Sequence, residues 1–210
     1  MTFGNKHIGK AYRGKGQAGY TLPEVLVSAI IGVLLLTAVF GILQSVMSSY
    51  YVQNAQAEAQ AEAQFTMMRL VKEIRQAEKP LLAISINPGS VETLAFKADL
   101  NNDGTSEAIL YSYNGYLHKI VKQVNTTGVY DFTASPQETI ASNIRNNYSQ
   151  TLFTFYGTSL TTPLDPTNPS ADIINKTKLI KIRVVIDKDV AKPPAPIDLT
   201  SEIKLRNFGY

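Results

Sequence analysis

The chain has 210 residues, of which 44% are hydrophobic, enough for a membrane anchor and one modest folded domain. Four of its 20 basic residues lie in the first nineteen positions, which contain no acid, so the remainder carries 16 basic against 17 acidic residues, a formal charge of −1. This near-neutral balance excludes the basic footprint typical of a nucleic-acid-binding protein. The absence of cysteine excludes a structural disulfide.

The N-terminal part of the chain joins a basic segment to an apolar one. Lys6, Lys10, Arg13 and Lys15 precede residues 25–43, nineteen positions without a charge. As a helix, at about 1.5 Å per residue, such a segment reaches about 28 Å, close to the roughly 30 Å hydrocarbon core of a bilayer. The positive-inside rule places the basic end in the cytoplasm. We therefore predict a single membrane span with its N-terminus inside.

A pair of small residues, Ala18 and Gly19, lies before the apolar segment. A secretory signal carries its small-residue cleavage site after the apolar region. A cut after Gly19 would instead remove the basic segment and leave the apolar helix on the mature protein, with a new amino terminus at Tyr20. The expected product keeps its anchor.

Glu24 is the carboxylate at the start of the apolar segment. An ionised carboxylate at the edge of hydrocarbon costs free energy unless it reaches water or a cation. The amine created at Tyr20 would lie about one helical turn away and would supply that cation. The alternative is that Glu24 only marks the helix start, where a carboxylate favours the helix dipole by about 0.3–1 kcal/mol.

The segment of residues 19–27 resembles the class III leader junction of type IV pilins and type II secretion pseudopilins. Its sequence is Gly-Tyr-Thr-Leu-Pro-Glu-Val-Leu-Val, with Gly19 and Tyr20 at its start and Glu24 at its sixth position. The resemblance implies that a membrane-embedded prepilin peptidase cuts the Gly19/Tyr20 bond and methylates the amine of Tyr20. It also implies that Glu24 pairs with the amine of a neighbouring subunit in a filament. Pro23 departs from the leucine or isoleucine commonest in major pilins, whereas proline at this place is familiar among minor pilins and pseudopilins, which favours a minor subunit.

The helical character continues beyond the apolar segment, with no proline before Pro80 and no charge before Glu58. Residues 54–64 alternate with period two, which alone predicts a strand, but alanine, glutamate and glutamine favour helix. We expect either a solvated helix or a slim rod whose alanines let neighbouring subunits approach closely. The helix is predicted to begin near residue 22 and to end near Glu78, because Pro80 disfavours helical geometry in the residue before it.

An amphipathic stripe lies in the last part of this helix and is expected to dock on a β domain. Its apolar members recur at three- and four-residue steps: Met67, Leu70, Val71, Ile74 and Ala77. Arg69, Lys72 and Glu73 are expected to point away from that domain. Residues 65–77 resemble the corresponding region of W-type minor pilins and J-type pseudopilins.

Beyond Pro80, short alternating segments with turn signals predict an antiparallel sheet. The predicted strands are residues 81–86, 91–98, 107–113, 116–124, 152–156, 178–186 and 199–206. Asn114 and Gly115 predict a two-residue hairpin turn, because both positions of a type I′ turn need positive φ. The proline-rich residues 157–171 and 193–196 are predicted to be exposed loops.

The predicted fold class is therefore α+β, with a long N-terminal helix whose C-terminal half packs on an antiparallel β-sheet domain, an arrangement of the pilin-like kind. Residues 1–19 form the cytoplasmic leader. Residues 20–79 form the long helix, with 20–44 as the transmembrane and assembly part and 45–79 as the extracytoplasmic amphipathic part. Residues 80–210 form the β-rich domain.

One loop resembles a metal-binding motif. Asp99, Asn101 and Asp103, followed by Gly104, have the oxygen spacing and the glycine of an EF-hand-like Ca²⁺ loop. The twelfth position of such a loop is occupied by leucine here, so Glu107 would have to serve from a different geometry. Asn, Asp and Gly are also the residues that a tight turn selects, and the turn is the favoured interpretation.

Catalysis has little basis in this sequence, and we expect no enzyme and no catalytic residue. The chain contains no cysteine and two histidines. The histidines are His7, in the predicted leader, and His118, which is predicted to lie on a strand surface. Tyr111 and Tyr113 share a predicted strand face, where cross-strand packing is favoured over the stacking of bases. Asp187 and Asp189 follow a predicted strand, where turn formation and solvation account for them.

The resemblance implies a prepilin-like structural subunit, a minor pilin of a type IV pilus, that works by assembly. It lies in the cytoplasmic membrane at first and in an extracellular or periplasmic filament afterwards. The implied partners are other pilin and minor pilin subunits, prepilin peptidase, the inner-membrane assembly platform, and membrane lipid before assembly, with no nucleic acid and no cofactor beyond the Ca²⁺ considered above. The alternatives are a pseudopilin of a type II secretion system, a DNA-uptake competence pilin, and a single-span anchored binding domain that is never processed.

Overall fold

The structure, a computed structural model, describes residues 19–87, 91–147, 149–164, 176–190 and 193–205, except the side chains of residues 79–87. The predicted leader up to Ala18, including His7, lies outside the described residues, as do residues 165–171 of one predicted loop. The chain divides into two compact units, Met1–Ser48 and Ser49–Tyr210. One helix, α1 (Leu22–Arg75), contributes residues to both units.

Helix α1 ends at Arg75, three residues before its predicted end near Glu78. Its last turn tightens, because Gln76 and Ala77 donate their backbone N–H groups to carbonyls three residues back, at 3.1 Å each. Glu78 instead opens the first strand and pairs with Lys97. The predicted end of the helix is wrong because Glu78, just before Pro80, pairs within a β-sheet instead of continuing the helix.

The second unit contains two antiparallel sheets, each with its strands in chain order. The first sheet has the order β1-β2-β3-β4-β5 and the second has the order β6-β7-β8. The strands of the first sheet are β1 (Glu78–Asn87), β2 (Val91–Ala98), β3 (Glu107–Asn114), β4 (Lys119–Asn125) and β5 (Gln137–Ala141). Those of the second are β6 (Phe153–Tyr156), β7 (Leu179–Ile186) and β8 (Ile197–Lys204). The α+β class and the antiparallel pairing are confirmed.

Strand β5 is absent from the sequence prediction. Its first residues, Gln137, Glu138 and Thr139, are polar and exposed, so no apolar alternation marks them. They form a strand because β4 supplies partners along its edge, including Val121 opposite Thr139. Strand formation at this edge depends on the tertiary neighbour rather than on local pattern.

The connection between β3 and β4 is longer than predicted. Asn114 pairs with Lys119, so four residues, 115–118, form the turn in place of two. The side-chain oxygen of Asn114 accepts the backbone N–H groups of Tyr116 and Leu117 at 2.9 and 3.0 Å, which holds the wider turn. His118 therefore lies in the turn, with a φ of 53°, and not on the predicted strand surface.

The part of α1 within the second unit shares one hydrophobic cluster with both sheets. The predicted stripe is confirmed for Met67, Leu70, Ile74 and Ala77, which are buried, while Val71 is half-buried against the cluster. The cluster also includes two alanines from the period-two run, Ala59 and Ala63. The solvated-helix interpretation is wrong at these two positions, because they pack against the same chain.

Asn146 joins the two sheets from the segment that follows β5. Its side-chain amide donates to the carbonyls of Gln150 and Arg183, at 2.7 Å each, and its side-chain oxygen accepts the N–H of Val185 at 3.1 Å. Its backbone carbonyl accepts the hydroxyl of Tyr113, from β3, at 2.8 Å. A single buried asparagine thus connects the first sheet to β7.

Candidate functional site

The Gly19/Tyr20 junction lies just outside helix α1. Both residues are exposed, and neither is helical. Thr21 is the last residue before the helix, and its carbonyl accepts the N–H groups of Glu24 and Val25 at 3.0 and 3.2 Å. The peptide bond predicted to be cut is therefore accessible and non-helical, whereas the residues that follow it are fixed in the first turn.

Glu24 lies in that first turn with an exposed side chain. One carboxylate oxygen, Oε2, lies 3.4 Å from both the backbone nitrogen and the hydroxyl oxygen of Thr21. These contacts resemble half of a capping box, in which a glutamate three residues into the helix receives the N–H of the cap residue. At 3.4 Å they are long for hydrogen bonds, so they orient the carboxylate while adding little stability.

The apolar part of α1 presents its side chains outward all round. From Val25 to Ser48 every residue except Gly32 is exposed, and Leu36, for example, keeps 70% of its surface. Two hydroxyls within this part are satisfied internally: Ser28 donates to the Glu24 carbonyl and Thr37 to the Val33 carbonyl, both at 2.8 Å. Internal satisfaction of this kind is what a hydrocarbon environment requires.

Among the described residues, α1 is the one helix long and apolar enough to cross a membrane, judged by length and composition. A core helix of a soluble protein passes the same test but is mostly buried, whereas the apolar window of α1 is 0% buried. The apolar region also exceeds the roughly 7 to 15 residues of a secretory signal. The structure thus supplies a membrane-length helix near the N-terminus.

The second half of α1 is held to the sheets by ion pairs that periodicity alone does not predict. Glu73, expected to point away, is buried, and its Oε2 lies 2.6 Å from the ammonium of Lys122 and 2.7 Å from the hydroxyl of Tyr111. Arg69 contacts Glu73 at 3.2 Å and forms a bidentate pair with Glu138 at 2.6 Å on each arm. The sequence signal that could have indicated this pair is Lys122, a lysine on β4. Only the fold brings Lys122 close to Glu73 of the helix.

These contacts shift the pKa values of the groups concerned. Hydrogen bonding to the Arg69 guanidinium lowers the pKa of the Glu138 carboxyl, and the same bond raises the pKa of Arg69. Burial raises the pKa of the Tyr111 hydroxyl, and the nearby Glu73 carboxylate raises it further. Burial raises the pKa of Tyr113 to about 12.

A second set of contacts joins α1 to the residues that directly follow β7 and β5. Lys188, just after β7, lies 3.0 Å from Glu58 and 3.7 Å from Glu62. Glu62 also accepts the N–H of Ser142 at 2.9 Å. The glutamates of the period-two run are therefore engaged with the same chain.

The Asp99 loop, considered for Ca²⁺, connects β2 and β3. Asp99 accepts the N–H groups of Asp103 and Gly104 at 3.2 and 2.9 Å, and Asp103 accepts the N–H of Thr105 at 2.7 Å. The side-chain amide of Asn101 donates to Asp103, and its side-chain oxygen accepts the N–H of Asp103. Glu107 is buried and accepts the N–H of Leu100 at 3.0 Å. The four candidate ligands thus stabilise the turn, which supports the favoured interpretation.

Other candidate residues occupy structural positions. No group of three or more His, Cys, Asp or Glu residues with the geometry of a metal site is present in the parts of the chain that are described. Tyr111 is fully buried and stacks on Phe96 with ring centroids 6.2 Å apart, so its face is closed to bases. Asp187 accepts the N–H of Asp189 at 3.2 Å, as expected of a turn.

Comparison with known proteins adds no assignment: no family model, no curated protein and no solved structure matches this chain.

Proposed function

We propose that this chain is a prepilin-like structural subunit, inserted with its N-terminus inside, cut between Gly19 and Tyr20, and assembled into a filament through its apolar helix. The residues that carry the proposal are the glycine junction and Glu24. The observation that supports it best is the coincidence of an exposed, non-helical Gly19/Tyr20 peptide with an unburied membrane-length helix that begins at Leu22.

The role proposed for Glu24 follows from its surroundings. Its carboxylate makes only contacts of 3.4 Å within the described chain, so it remains accessible to a cation. In hydrocarbon or between packed helices, an uncompensated carboxylate is costly, whereas pairing with the Tyr20 amine of a neighbouring subunit would offset that cost. Assembly, not turnover, is then the activity of the chain, with other pilin subunits, prepilin peptidase and the inner-membrane assembly platform as its partners.

Mass spectrometry of the N-terminus of the membrane-extracted protein tests this proposal. We expect the chain to begin at an N-methylated Tyr20. Replacing Gly19 by a bulky residue, Gly19→Leu, should leave residues 1–19 attached, while Gly32→Ala, in the open middle of the apolar helix, should not alter processing. A protein that retains Met1 in the wild type would overturn the pilin account and leave a single-span anchored domain.

The minor-pilin assignment and its alternatives, a secretion pseudopilin and a competence pilin, predict the same processed helix. They differ in what fails when the chain is removed: surface filaments, protein secretion or DNA uptake. The near-neutral charge counts against a competence pilin, and Pro23 favours a minor over a major subunit. The stoichiometry of the subunit in sheared filaments checks this, because a minor pilin is present at a small fraction of the major subunit.

A further inference from the structure

The β3–β4 turn is joined to the segment that follows β5 by a two-point contact between His118 and Ile144. The backbone carbonyl of His118 accepts the N–H of Ile144 at 3.0 Å, and Nδ1 of its ring lies 3.2 Å from the Ile144 carbonyl oxygen. Ile144 is fully buried and forms a bridge with Ile186 of β7. The turn of the first sheet is thus held against a residue that the second sheet also holds.

The other nitrogen of the same imidazole ring contacts a cation. Nε2 of His118 lies within hydrogen-bonding reach of Nη1 of Arg145. The backbone N–H of Arg145 donates to the Val185 carbonyl at 2.8 Å, which fixes this residue beside β7. Nε of Arg145 is buried and has no hydrogen-bond partner among the described residues. The contact with His118 is therefore important for the solvation of this guanidinium.

These two contacts determine the protonation state of the His118 ring. A guanidinium donates hydrogen bonds and cannot accept them, so Nε2 must be the acceptor and carries no proton. A carbonyl oxygen only accepts, so Nδ1 must carry the proton. The ring is therefore neutral, in the Nδ1–H form. A second proton would have to enter at the nitrogen that faces Arg145.

The charged and titratable groups on the elements around this pair are engaged elsewhere or exposed. They are Tyr113 on β3, Glu92 on β2, Lys119 on β4 and Asp187 after β7. The hydroxyl of Tyr113 donates to a backbone carbonyl, the carboxylates of Glu92 and Asp187 each accept a backbone N–H, and Lys119 is exposed. Within the described residues, no carboxylate contacts the His118 ring. A protonated ring would therefore place two cations side by side.

The backbone on both sides of the contact is held in the left-handed conformation. His118 has a φ of 53°, and Asn143, just before Ile144, has a φ of 57°. Residues other than glycine occupy this region at a cost and remain there when surrounding contacts hold them. If the ring of His118 lost its contacts, the turn would be free to relax.

We propose that His118 is a pH-sensitive latch that fastens the β3–β4 turn to residues 144 and 145 when its ring is neutral and releases the turn when Nε2 takes up a proton. The release follows because the imidazolium and the guanidinium are both cations and both hydrogen-bond donors. Since the folded contact requires the neutral ring, it is present in neutral and alkaline solution and is lost as the pH falls. The latch lies within the second unit and does not depend on the membrane anchor, on cleavage or on filament assembly.

Amide hydrogen exchange measured by NMR tests the latch in the full-length chain in detergent micelles, between about pH 5 and 8, where histidine changes its charge. The reporter is the N–H of Ile144. The control is the N–H of Gly128, which donates to the Asn125 carbonyl at 3.2 Å in the turn at the opposite end of β4. After correction for the intrinsic pH dependence of exchange, the protection of Ile144 should fall with acid by up to about tenfold per pH unit, the limit for uptake of one proton. The protection of Gly128 should stay constant.

Three variants assign the effect to the imidazole ring. His118→Asn removes the titrating group and keeps a residue type that tolerates the left-handed conformation, so the protection of Ile144 should no longer depend on pH. If this variant fails to fold, Arg145→Gln decides, because glutamine can still donate to Nε2 but brings no charge, and the loss of protection in acid should be smaller than in wild type. His7→Gln removes the other histidine of the chain and should leave both amides unchanged.

The nitrogen-15 signals of the ring supply a second measurement. In the His7→Gln background, the remaining histidine should show the Nδ1–H form at neutral pH and a doubly protonated ring in acid. An Nε2–H form at neutral pH would overturn the latch, because the contact with Arg145 would then be absent. Protection of Ile144 that does not change with pH, or that still changes in His118→Asn, would also overturn it. So would an equal loss of protection at Gly128, since acid would then loosen the whole unit.

Discussion

At the residue scale, Glu73 is the most consequential position in the second unit. It is a buried carboxylate that accepts from Tyr111 and pairs with Lys122 and Arg69. A buried pair of this kind contributes little net stability compared with apolar residues of the same size, but losing one partner leaves a charge stranded. We therefore expect Glu73 to contribute more to how the packed part of α1 is rotated against the first sheet than to net stability.

Replacing Glu73 by alanine should lower the free energy of unfolding by about 3–5 kcal/mol, because the ammonium of Lys122 is left buried without its carboxylate. The double variant Glu73→Leu with Lys122→Met should be less destabilised than Glu73→Ala. The matched control, Glu138→Gln, alters the exposed end of the same network and should cost at most about 1 kcal/mol. Urea unfolding in detergent micelles measures all three, and equal losses for the first and third variants would contradict this account.

Tyr113 gives the second unit a predictable response to alkaline pH. Burial raises its pKa to about 12 from the ordinary value of 10.0. A tyrosine whose folded pKa is raised contributes stability that is complete below pH 10.0 and is lost as pH rises toward about 12. Tyr113→Phe should be less stable at neutral pH, where the bond to Asn146 is missing, and should lose less stability than wild type across this window.

The measurement for Tyr113 is the urea midpoint at a series of pH values from neutral to strongly alkaline. Tyr116→Phe is the control for replacing a tyrosine as such, because Tyr116 is exposed. If the urea midpoint falls equally steeply with pH in wild type and Tyr113→Phe, then the buried hydroxyl of Tyr113 does not determine the loss of stability at alkaline pH.

At the element scale, the turns depend on features that local sequence shows only in part. The Asp99 loop is predicted as a turn from its Asp, Asn and Gly content, and its side chains accept the backbone donors as that composition suggests. The β3–β4 connection contains the Asn-Gly signal, yet Asn114 caps a four-residue turn through its side chain. Composition thus predicts where the chain turns more reliably than how many residues the turn contains.

Gly128, in the turn after β4, is required by both its conformation and its surroundings. Its φ is +69°, and a Cβ there would lie 2.8 Å from the backbone oxygen of Ser106. Gly128→Ala should therefore destabilise the chain by about 1–3 kcal/mol. Gly104→Ala is the control, because Gly104 has a φ of +85° but open space around its Cβ position.

The difference between the two alanine variants isolates the steric contact from the cost of the left-handed conformation. Thermal unfolding of both variants in the same detergent supplies the comparison. If Gly104→Ala proves as damaging as Gly128→Ala, then the close approach of Ser106 has no measurable effect and backbone conformation explains the whole loss.

At the scale of the whole molecule, the helix start, the apolar stripe and most strands are predictable from sequence, because each depends on a local period. Sequence reasoning fails at β5 and at Glu73. The polar residues of β5 become a strand only beside β4, and Glu73 becomes buried only because Lys122 and Tyr111 arrive from distant strands. For the candidate site, the sequence identifies Gly19, Tyr20 and Glu24, and the structure adds that their junction is exposed.

Glu24→Val is the test that belongs to this scale, because its effect appears only when subunits meet. We expect normal membrane insertion and normal processing at Tyr20, since the variant lengthens the apolar segment and leaves the junction intact. Incorporation into filaments should be poor, because the carboxylate that would receive a neighbouring amine is missing. The measurement is the amount of subunit in sheared filaments relative to that in the membrane.

Glu24→Gln separates charge from the local cap, because glutamine also serves in a capping box but cannot pair ionically. It should assemble as poorly as Glu24→Val if charge is what matters. Filaments of wild-type composition from both variants would contradict the role proposed for the carboxylate and would leave Glu24 as a marker of the helix start.

The bridge made by Asn146 has a consequence for damage by proteases. Residues 158–162 are exposed and lie between β6 and β7 in the chain. A single cleavage there would break the covalent connection between these two strands. Strand β6 would still pair with β7, and Asn146 would still bind Arg183 and Val185. A subunit cleaved once in this loop would therefore keep its fold and migrate as a single species under native conditions. Only a denaturing gel would separate the two fragments.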